Sequence, residues 1–229
     1  MHHNINYENF LVTRPLWAKF DRERYGIPVM WRCKLSMEQL KYSSMLNRRN
    51  ITSNCDKSNK IIENFAYDFD LETIWRNPFS HIQDLRSSRV VLTPDFSVTS
   101  SMCEAQVIAN TFKNRWLGCF WQQFYIAVIP TVSWAMPWIY EICLSGILEN
   151  SPVAISTIGI NDKDMFLQGY QYMLNKIKPP YIICYGEIIK GMIGNIITFD
   201  FKDAFMPNKH YEQIKLFNTS RLNEIKEVN

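Results

Sequence analysis

The sequence predicts an α/β protein made of parallel β/α units, and two observations carry that reading. Short apolar runs of strand length recur at residues 90–93, 125–129, 153–157 and 181–185, each ending in small, polar or aromatic residues and followed by a segment of helical character. Parallel strands are covered on both faces, so they read as continuous apolar runs rather than alternating ones. From Asn64 onward the runs lie roughly 26 to 35 residues apart until a shorter last step, the length of a strand plus its right-handed crossover. A closed (β/α) barrel takes eight strands and about 250 residues, whereas this chain has 229 residues and about six or seven candidate strands. The expected architecture is therefore an irregular or incomplete TIM-like barrel, with an open doubly wound parallel sheet as the alternative. Residues 1–60 are expected to form a basic embellishment packed on a β/α domain of residues 61–229, the whole being one structural domain.

Taken in order, residues 27–31 read as a first strand and residues 36–46 as a helix. The polar run from Arg48 to Lys60 has neither helical nor alternating periodicity and reads as an exposed loop. Residues 61–67 read as a strand ending in Asp68 and Asp70, with Asp70 the N-cap of a short helix over 71–75. Asn77-Pro78 restarts the chain, and a second short helix covers 81–85. After the strand at 90–93, Ser101 with Glu104 three residues later is a capping-box pattern that opens a helix to about Trp116. The strand over 125–129 leads to a helix over 137–148 with proline in its first turn. Asp162 starts a helix through Ile177 that Pro179-Pro180 ends. A strand at 181–185, a helix near 187–192 and a strand at 196–199 follow, and the tail from Pro207 reads as an amphipathic helix.

Composition narrows the classes. With 47% hydrophobic and 21% charged residues the chain is an ordinary folded protein. Residues 1–60 hold 11 Lys/Arg against 5 Asp/Glu, a net of +6, although the whole chain is only +3. Arg48, Arg49, Lys57 and Lys60 could thus contact nucleic acid electrostatically, the simpler reading being a solvated connection. The six cysteines form no CxxC pair, which is free-thiol usage in a reducing, cytoplasmic setting. None of the four histidines ends a predicted strand, so a zinc site built from Cys and His is not expected, and no metal ligand is assigned. Neither of the two familiar glycine-rich phosphate loops occurs, and the first residues carry no apolar signal core. Residues 116–140 lack charge and are long enough to span a bilayer, but Gln122, Gln123, Pro130, Ser133 and Pro137 interrupt them. A buried strand accounts for them better, and no membrane contact is expected.

If the strand assignments hold, Asp95, Thr131, Ser133, Trp134, Ser156, Thr157, Tyr185 and Glu187 gather at the carboxyl edge of the sheet, where such folds bind ligands. Asp95 and Glu187 are the candidate catalytic pair, since hydrolysis needs one group to take a proton and another to give one. Their simpler roles are an Asx turn for Asp95 and a first-turn position favoured by the helix dipole for Glu187. Asp68, Ser97, Trp134, Thr157 and Tyr185 are the candidate ligand-binding residues. Arg115, on a helix, is expected to pair with Glu104 or Asp95. No histidine base and no Ser-His-Asp order supports nucleophilic catalysis.

The ordered set Asn64-Phe-Ala-Tyr-Asp68-Phe-Asp70, Thr93-Pro-Asp-Phe-Ser97, Asn114-Arg115, Ile129-Pro130 with Trp134, and residues 153–159 resembles the bacterial and phage family of domain of unknown function 4417. The resemblance covers roughly residues 25–190 and implies a phage or mobile-element setting; it brings no active site and no cofactor. The expected function is a soluble phage-type protein binding a small ligand or host partner at the carboxyl edge. The alternatives are a carboxylate-dependent hydrolase or lyase acting on a nucleotide-like small molecule, and nucleic-acid binding through the basic N-terminal region.

Overall fold

A computed structural model describes residues 7–52, 55–80 and 82–200, together with the backbone of 216–218. Strands β1 (Ser44–Asn47), β2 (Lys60–Glu63), β3 (Val90–Leu92) and β4 (Val128–Ile129) pair in that order, all parallel. Strands β5 (Val153–Ser156), β6 (Ile182–Tyr185) and β7 (Asn195–Phe199) form a second parallel set, with β8 (Leu216–Asn218) antiparallel on β7. The two sets meet at a parallel bridge between Thr131 and Ala154. There Ala154 N–H donates to Pro130 O and Val132 N–H to Ala154 O, both at 2.8 Å. The protein is thus α/β with parallel sheets, and among the described residues no strand pairing closes them into a barrel.

Alternation sorts the strand residues between two faces. Met45, Ile61, Val90, Leu92, Ile129, Ala154, Ile183, Tyr185, Ile197 and Phe199 share one buried cluster drawn from β1 through β7. Their neighbours Leu46, Ile62, Val91 and Val128 instead meet the helices α3 (Asp68–Arg76), α4 (Ile82–Arg86) and α5 (Glu104–Gln122). Val153, Ile155, Ile182, Cys184 and Ile196 likewise pack under α6 (Tyr140–Leu144) and α7 (Lys163–Ile177). Two more helices, α1 (Tyr7–Thr13) and α2 (Met37–Leu40), precede the sheet. α1 delivers Phe10 to an aromatic cluster with Phe79, Trp116 and Phe120.

α7 forms as the sequence implies. Asp162 accepts from Met165 N–H at its start, Phe166, Tyr170, Met173 and Ile177 make one buried stripe, and Lys178 turns left-handed (φ 48°) ahead of the two prolines. α5 opens at Glu104, with Gln106 Oε1 accepting from Cys103 N–H rather than a box built on Ser101, and it runs on to Gln122. α3 begins at Asp68 with Tyr67 as N-cap, so Asp70 is a first-turn acid and not the cap.

Other elements differ more. Residues 27–31 contain no strand; Met30 N–H bonds Gly146 O, tying this segment to the chain after α6 rather than to the sheet. The helix read over 36–46 stops at Leu40, and 44–47 becomes β1, because parallel pairing with β2 outweighs local helical spacing. The sheet therefore starts inside the segment read as an embellishment. Residues 187–192 form no helix, since Gly186, Gly191 and Gly194 hold φ of 112°, 110° and 119°. The helix over 137–148 shortens to a single 3-10 turn and α6, and Gly146 (φ 76°) follows it. Tyr125 (φ 63°) cannot extend β4 backwards. The tail helix from Pro207 lies outside the described residues apart from 216–218, whose backbone is strand.

Trp134 sits over α7, its Nε1 donating to Phe166 O at 3.0 Å, and a Cβ added at Gly169 would clash with its indole ring, within 2.1 Å of Cδ1. Alanine is intrinsically better than glycine in a helix by about 1 kcal/mol, but overpacking a rigid ring costs about 1–3 kcal/mol. Gly169→Ala is therefore expected to lower stability in urea unfolding, and the same change in a Trp134→Ala background to raise it.

Candidate functional site

Because β1 to β7 run parallel, their carboxyl ends form one edge, and the polar side chains of the strands concentrate there. Asn47 and Glu63, two residues beyond inward-facing Met45 and Ile61, end β1 and β2 on the inner face. Glu63 is fully buried. Its Oε1 accepts from Asn47 Nδ2 at 2.5 Å and its Oε2 from Phe65 N–H at 2.6 Å. Burial pushes its carboxyl up to about 7, against those two hydrogen bonds and the Arg49 and Arg48 charges. Arg48 is itself lowered, first by burial and then by Arg49. The ring of Phe65 stacks on Tyr185 from β6 at 4.9 Å and 11°, which joins the ends of β2 and β6 across the inner face.

Asp95 follows β3. Its N–H donates to Asn64 O at 3.2 Å. Part of its surface is open, but protein crowds the carboxyl. Burial raises it to about 7, a hydrogen bond from Ser133 opposes this, the Asp68 charge adds to it, and the Arg115 charge opposes it. Beside it, Asn64 donates Nδ2 to Leu92 O at 2.7 Å while its buried Oδ1 has no hydrogen-bond partner among the described residues.

Beneath this edge lies a buried polar network. Asn114 bonds Thr93, the Pro94 carbonyl and the Thr131 carbonyl. Arg115, 1% exposed, donates to the carbonyls of Ser145, Thr131 and Cys143 and to Asn114 Oδ1. Its partners are thus carbonyl oxygens, neither Glu104 nor Asp95 making an ion pair with it; burial lowers its pKa to about 10, so it stays charged at neutral pH.

The other residues singled out by sequence are spread along the same edge. Asp68 Oδ1 accepts from Ser97 N–H and Oγ, both at 3.0 Å, clamping the start of α3 to the loop after β3. Thr157 donates its N–H to Tyr185 O at 3.0 Å and its Oγ1 to Glu187 O at 2.7 Å, while the Glu187 side chain is exposed. The groups bearing on the Asp95 carboxyl are Ser133, Asp68 and Arg115, and Glu187 is not among them. Trp134 is turned to α7. Arg49 pairs with Asp70 at 2.8 Å. Lys57 is 8% exposed, bonded to the carbonyls of Thr52 and Cys55 and 3.4 Å from Asp84. Lys60 opens β2 and donates to Ser44 Oγ at 2.7 Å, at the end of the sheet opposite Arg48 and Arg49. These four cations are not gathered on one face, and the run from Arg48 to Lys60 is not a uniformly exposed loop.

Sequence reasoning passed over Glu63 and Asn47. The available signal was a glutamate closing the run Lys60-Ile-Ile-Glu63, where an apolar strand would not otherwise carry a charge. Among the described residues no group of three or more His, Cys, Asp and Glu is placed to hold a metal ion, and no helix is long and apolar enough to cross a membrane.

The fold and its edge define a parallel β/α protein whose titratable groups collect at the carboxyl ends of its strands. The chain belongs to the family described as domain of unknown function (DUF4417), whose model matches residues 21–202. It is also similar to the Gene 1 protein of Mycobacterium phage D29, 35% identical over 128 residues, covering 54% of this chain and 47% of that one. The Gene 1 protein of Mycobacterium phage L5 is 34% identical over 128 residues, covering 54% and 56% respectively. The chain spans about half the length of these curated relatives. No solved structure matches it.

An acid whose folded pKa is raised stabilises the fold least when ionised, so its contribution is fullest below the unfolded pKa and is lost as pH rises to the folded value. For Asp95 that window is about pH 4 to 7. The melting temperature of Asp95→Asn relative to the unaltered protein is expected to climb between pH 5 and 7 and level off above. One proton bounds the slope at about 1.4 kcal/mol per pH unit.

Proposed function

We propose that this is a phage-type protein that binds a small ligand or a host partner at the carboxyl edge of its parallel strands. The observation that carries the reading is that Glu63 and Asp95, at the ends of β2 and β3, both have carboxyl groups raised to about 7 by burial. Burying acids costs stability, and groups poised near neutrality at a strand edge are common at functional sites. The consecutive order of seven strands and their shared inner cluster support an incomplete barrel as the frame, with its mouth at this edge. In this reading Asp95 and Thr157, half-buried, face the ligand, with the buried Asn47, Glu63 and Tyr185 behind them and Asp68 and Ser97 in support.

The same two carboxyl groups favour a second reading, a hydrolase or lyase acting on a nucleotide-like small molecule. A carboxyl near 7 is half ionised at neutral pH, the condition under which one group can give a proton and another take one. Asp95, with part of its surface open, is the better placed to meet a substrate; Glu63 is closed off.

Native mass spectrometry of the purified chain, followed by thermal-shift screening of anionic and nucleotide-like compounds, tests both. Binding is expected to raise the melting temperature and to weaken at least tenfold in Asp95→Asn. Turnover of a bound compound that falls by orders of magnitude in Asp95→Asn, while affinity holds, would select the enzyme. A chain that carries no adduct and gains no stability from any compound would overturn the small-ligand reading. Asp95→Ala serves as the stability control, since loss of a cap or turn alone costs about 1 kcal/mol.

A further inference from the structure

We propose that the cleft between residues 23–25, the start of α5 and α6 is a second binding site, one that takes an extended organic cation bearing ammonium or guanidinium groups. It shares no residue with the carboxyl edge, so it stands whether or not that edge binds a ligand. The cleft encloses about 620 Å³, within the range of small-molecule sites. It is lined by Glu23 and Tyr25, by Glu104 at the first position of α5, by Trp138 from the 3-10 turn before α6, and by Ile142 and Ser145, which are buried and form its floor.

Charge sets the sign of the ligand. Glu104 Oε1 accepts from the Tyr25 hydroxyl at 2.7 Å, and Glu23 Oε2 from Gly146 N–H at 3.1 Å. Both donors are neutral, and among the described residues neither carboxylate is in an ion pair. Glu141, also in the lining, is already paired with Lys176. Arg24 lies with its guanidinium carbon 4.7 Å from the centre of the Tyr25 ring, which leaves the Trp138 ring open. Since the whole chain is +3, attraction of a cation here is local to the cleft.

Acids at a surface are ordinarily just solvated, but three further features point to a ligand. Trp138 is 55% exposed, and among the described residues its indole meets no other ring, no cation and no hydrogen-bond partner. A bare indole beside carboxylates is the setting in which a cation is held over a ring face. Ser145 is 8% exposed. Its N–H donates to Ile142 O and its carbonyl accepts from Arg115, so the group it presents to the cleft is its hydroxyl, which has no partner among the described residues. Buried polar groups are nearly always hydrogen-bonded. Tyr25 is left-handed (φ 64°, ψ 14°), a conformation that side-chain-bearing residues seldom adopt, and such strain gathers at ligand clamps.

The same features choose an organic cation over a metal ion. Among the described residues no three acids converge to hold a metal, whereas a hard divalent ion wants oxygen ligands on most sides. A long cation can lay its alkyl stem against Trp138 and Ile142 while its N–H groups meet the oxygens of Glu23, Glu104 and Ser145.

Titration calorimetry at pH 7 and low salt, with spermidine and separately with an acetylated tetralysine peptide, tests the site. At least one of them is expected to bind, at least tenfold tighter than magnesium chloride. Its affinity is expected to fall about fivefold in Trp138→Leu, and at least tenfold in the double variant Glu23→Gln and Glu104→Gln, whose amides keep the acceptors for Gly146 N–H and the Tyr25 hydroxyl. Tighter binding of spermidine identifies a free polyamine as the ligand class, and tighter binding of the peptide a basic segment of a partner protein. No heat from either at millimolar concentration, magnesium binding as tight as both, or affinities unchanged in the variants would overturn the proposal. If the double variant does not fold, the indole N–H signal of Trp138, assigned by its loss in Trp138→Leu, is followed by NMR in the unaltered protein. It is expected to shift on titration while that of Trp134 stays in place, and an unmoved Trp138 signal would overturn the site.

Discussion

The constraint on which the carboxyl edge depends is the burial of the Arg115 guanidinium. It sits midway along α5 and reaches the Thr131 carbonyl, beyond the end of β4, and those of Cys143 and Ser145 at the end of α6. It also bonds Asn114, which extends the network to Thr93 and Pro94 beyond β3. Hydrogen bonds from a charged group contribute about 1.5–3 kcal/mol each, and several are needed because an ion taken out of water loses several kcal/mol of hydration. The arrangement works because a helix side, two strand ends and a helix end bring enough carbonyl oxygens to one point. It also fixes the backbone where Pro130 and Thr131 hand the sheet from β4 to β5.

Around that point, two apolar environments divide the strands. The inner face is largely aliphatic, with Tyr181 ahead of β6, and turns polar or aromatic at Asn47, Glu63, Phe65 and Tyr185. The outer face under α5 is dominated by large rings, Trp116 and Phe120 stacking at 4.8 Å. Arg14 lies over Trp75 with its guanidinium carbon 3.7 Å from the ring centre, so a cation seals the aromatic layer while its NH1 reaches the Trp75 carbonyl. Aromatic abundance in this chain thus serves packing at Trp116, Phe120 and Trp134. The Phe65–Tyr185 pair packs at the carboxyl edge of the strands.

The placement of the candidate residues was partly legible in the sequence. Asp95, Asp68, Thr157 and Tyr185 stand where apolar runs give way to turns, and parallel pairing puts those positions at one edge. Glu187 also lies there, yet its side chain is exposed and apart from the groups around Asp95. Asn47 and Glu63 were hidden for different reasons. Asn47 lies in a stretch whose local spacing is helical, and only pairing with β2 makes it a strand end. Glu63 was absorbed into a longer strand read through residue 67, which put the polar boundary at Asp68, five residues too far along.

By itself the sequence determined the local and the periodic. The apolar runs at 90–92, 153–156 and 182–185 are strands because continuous burial on both faces leaves no room for polar alternation. α7 is bounded by Asp162 and Pro179 because a capping carboxylate and a missing N–H act within a turn. Family membership was likewise visible in the order of short motifs. Tertiary structure alone decided which residues exchange free energy across long separations. Whether 44–47 is helix or strand depends on Lys60 to Glu63 being alongside. Whether Arg115 has carbonyl or carboxylate partners depends on where α6 ends, and Glu63 is pushed up to about 7 only by its burial in the assembled sheet. Burial and long-range pairing are properties of the assembled molecule, and no window of neighbouring residues contains them.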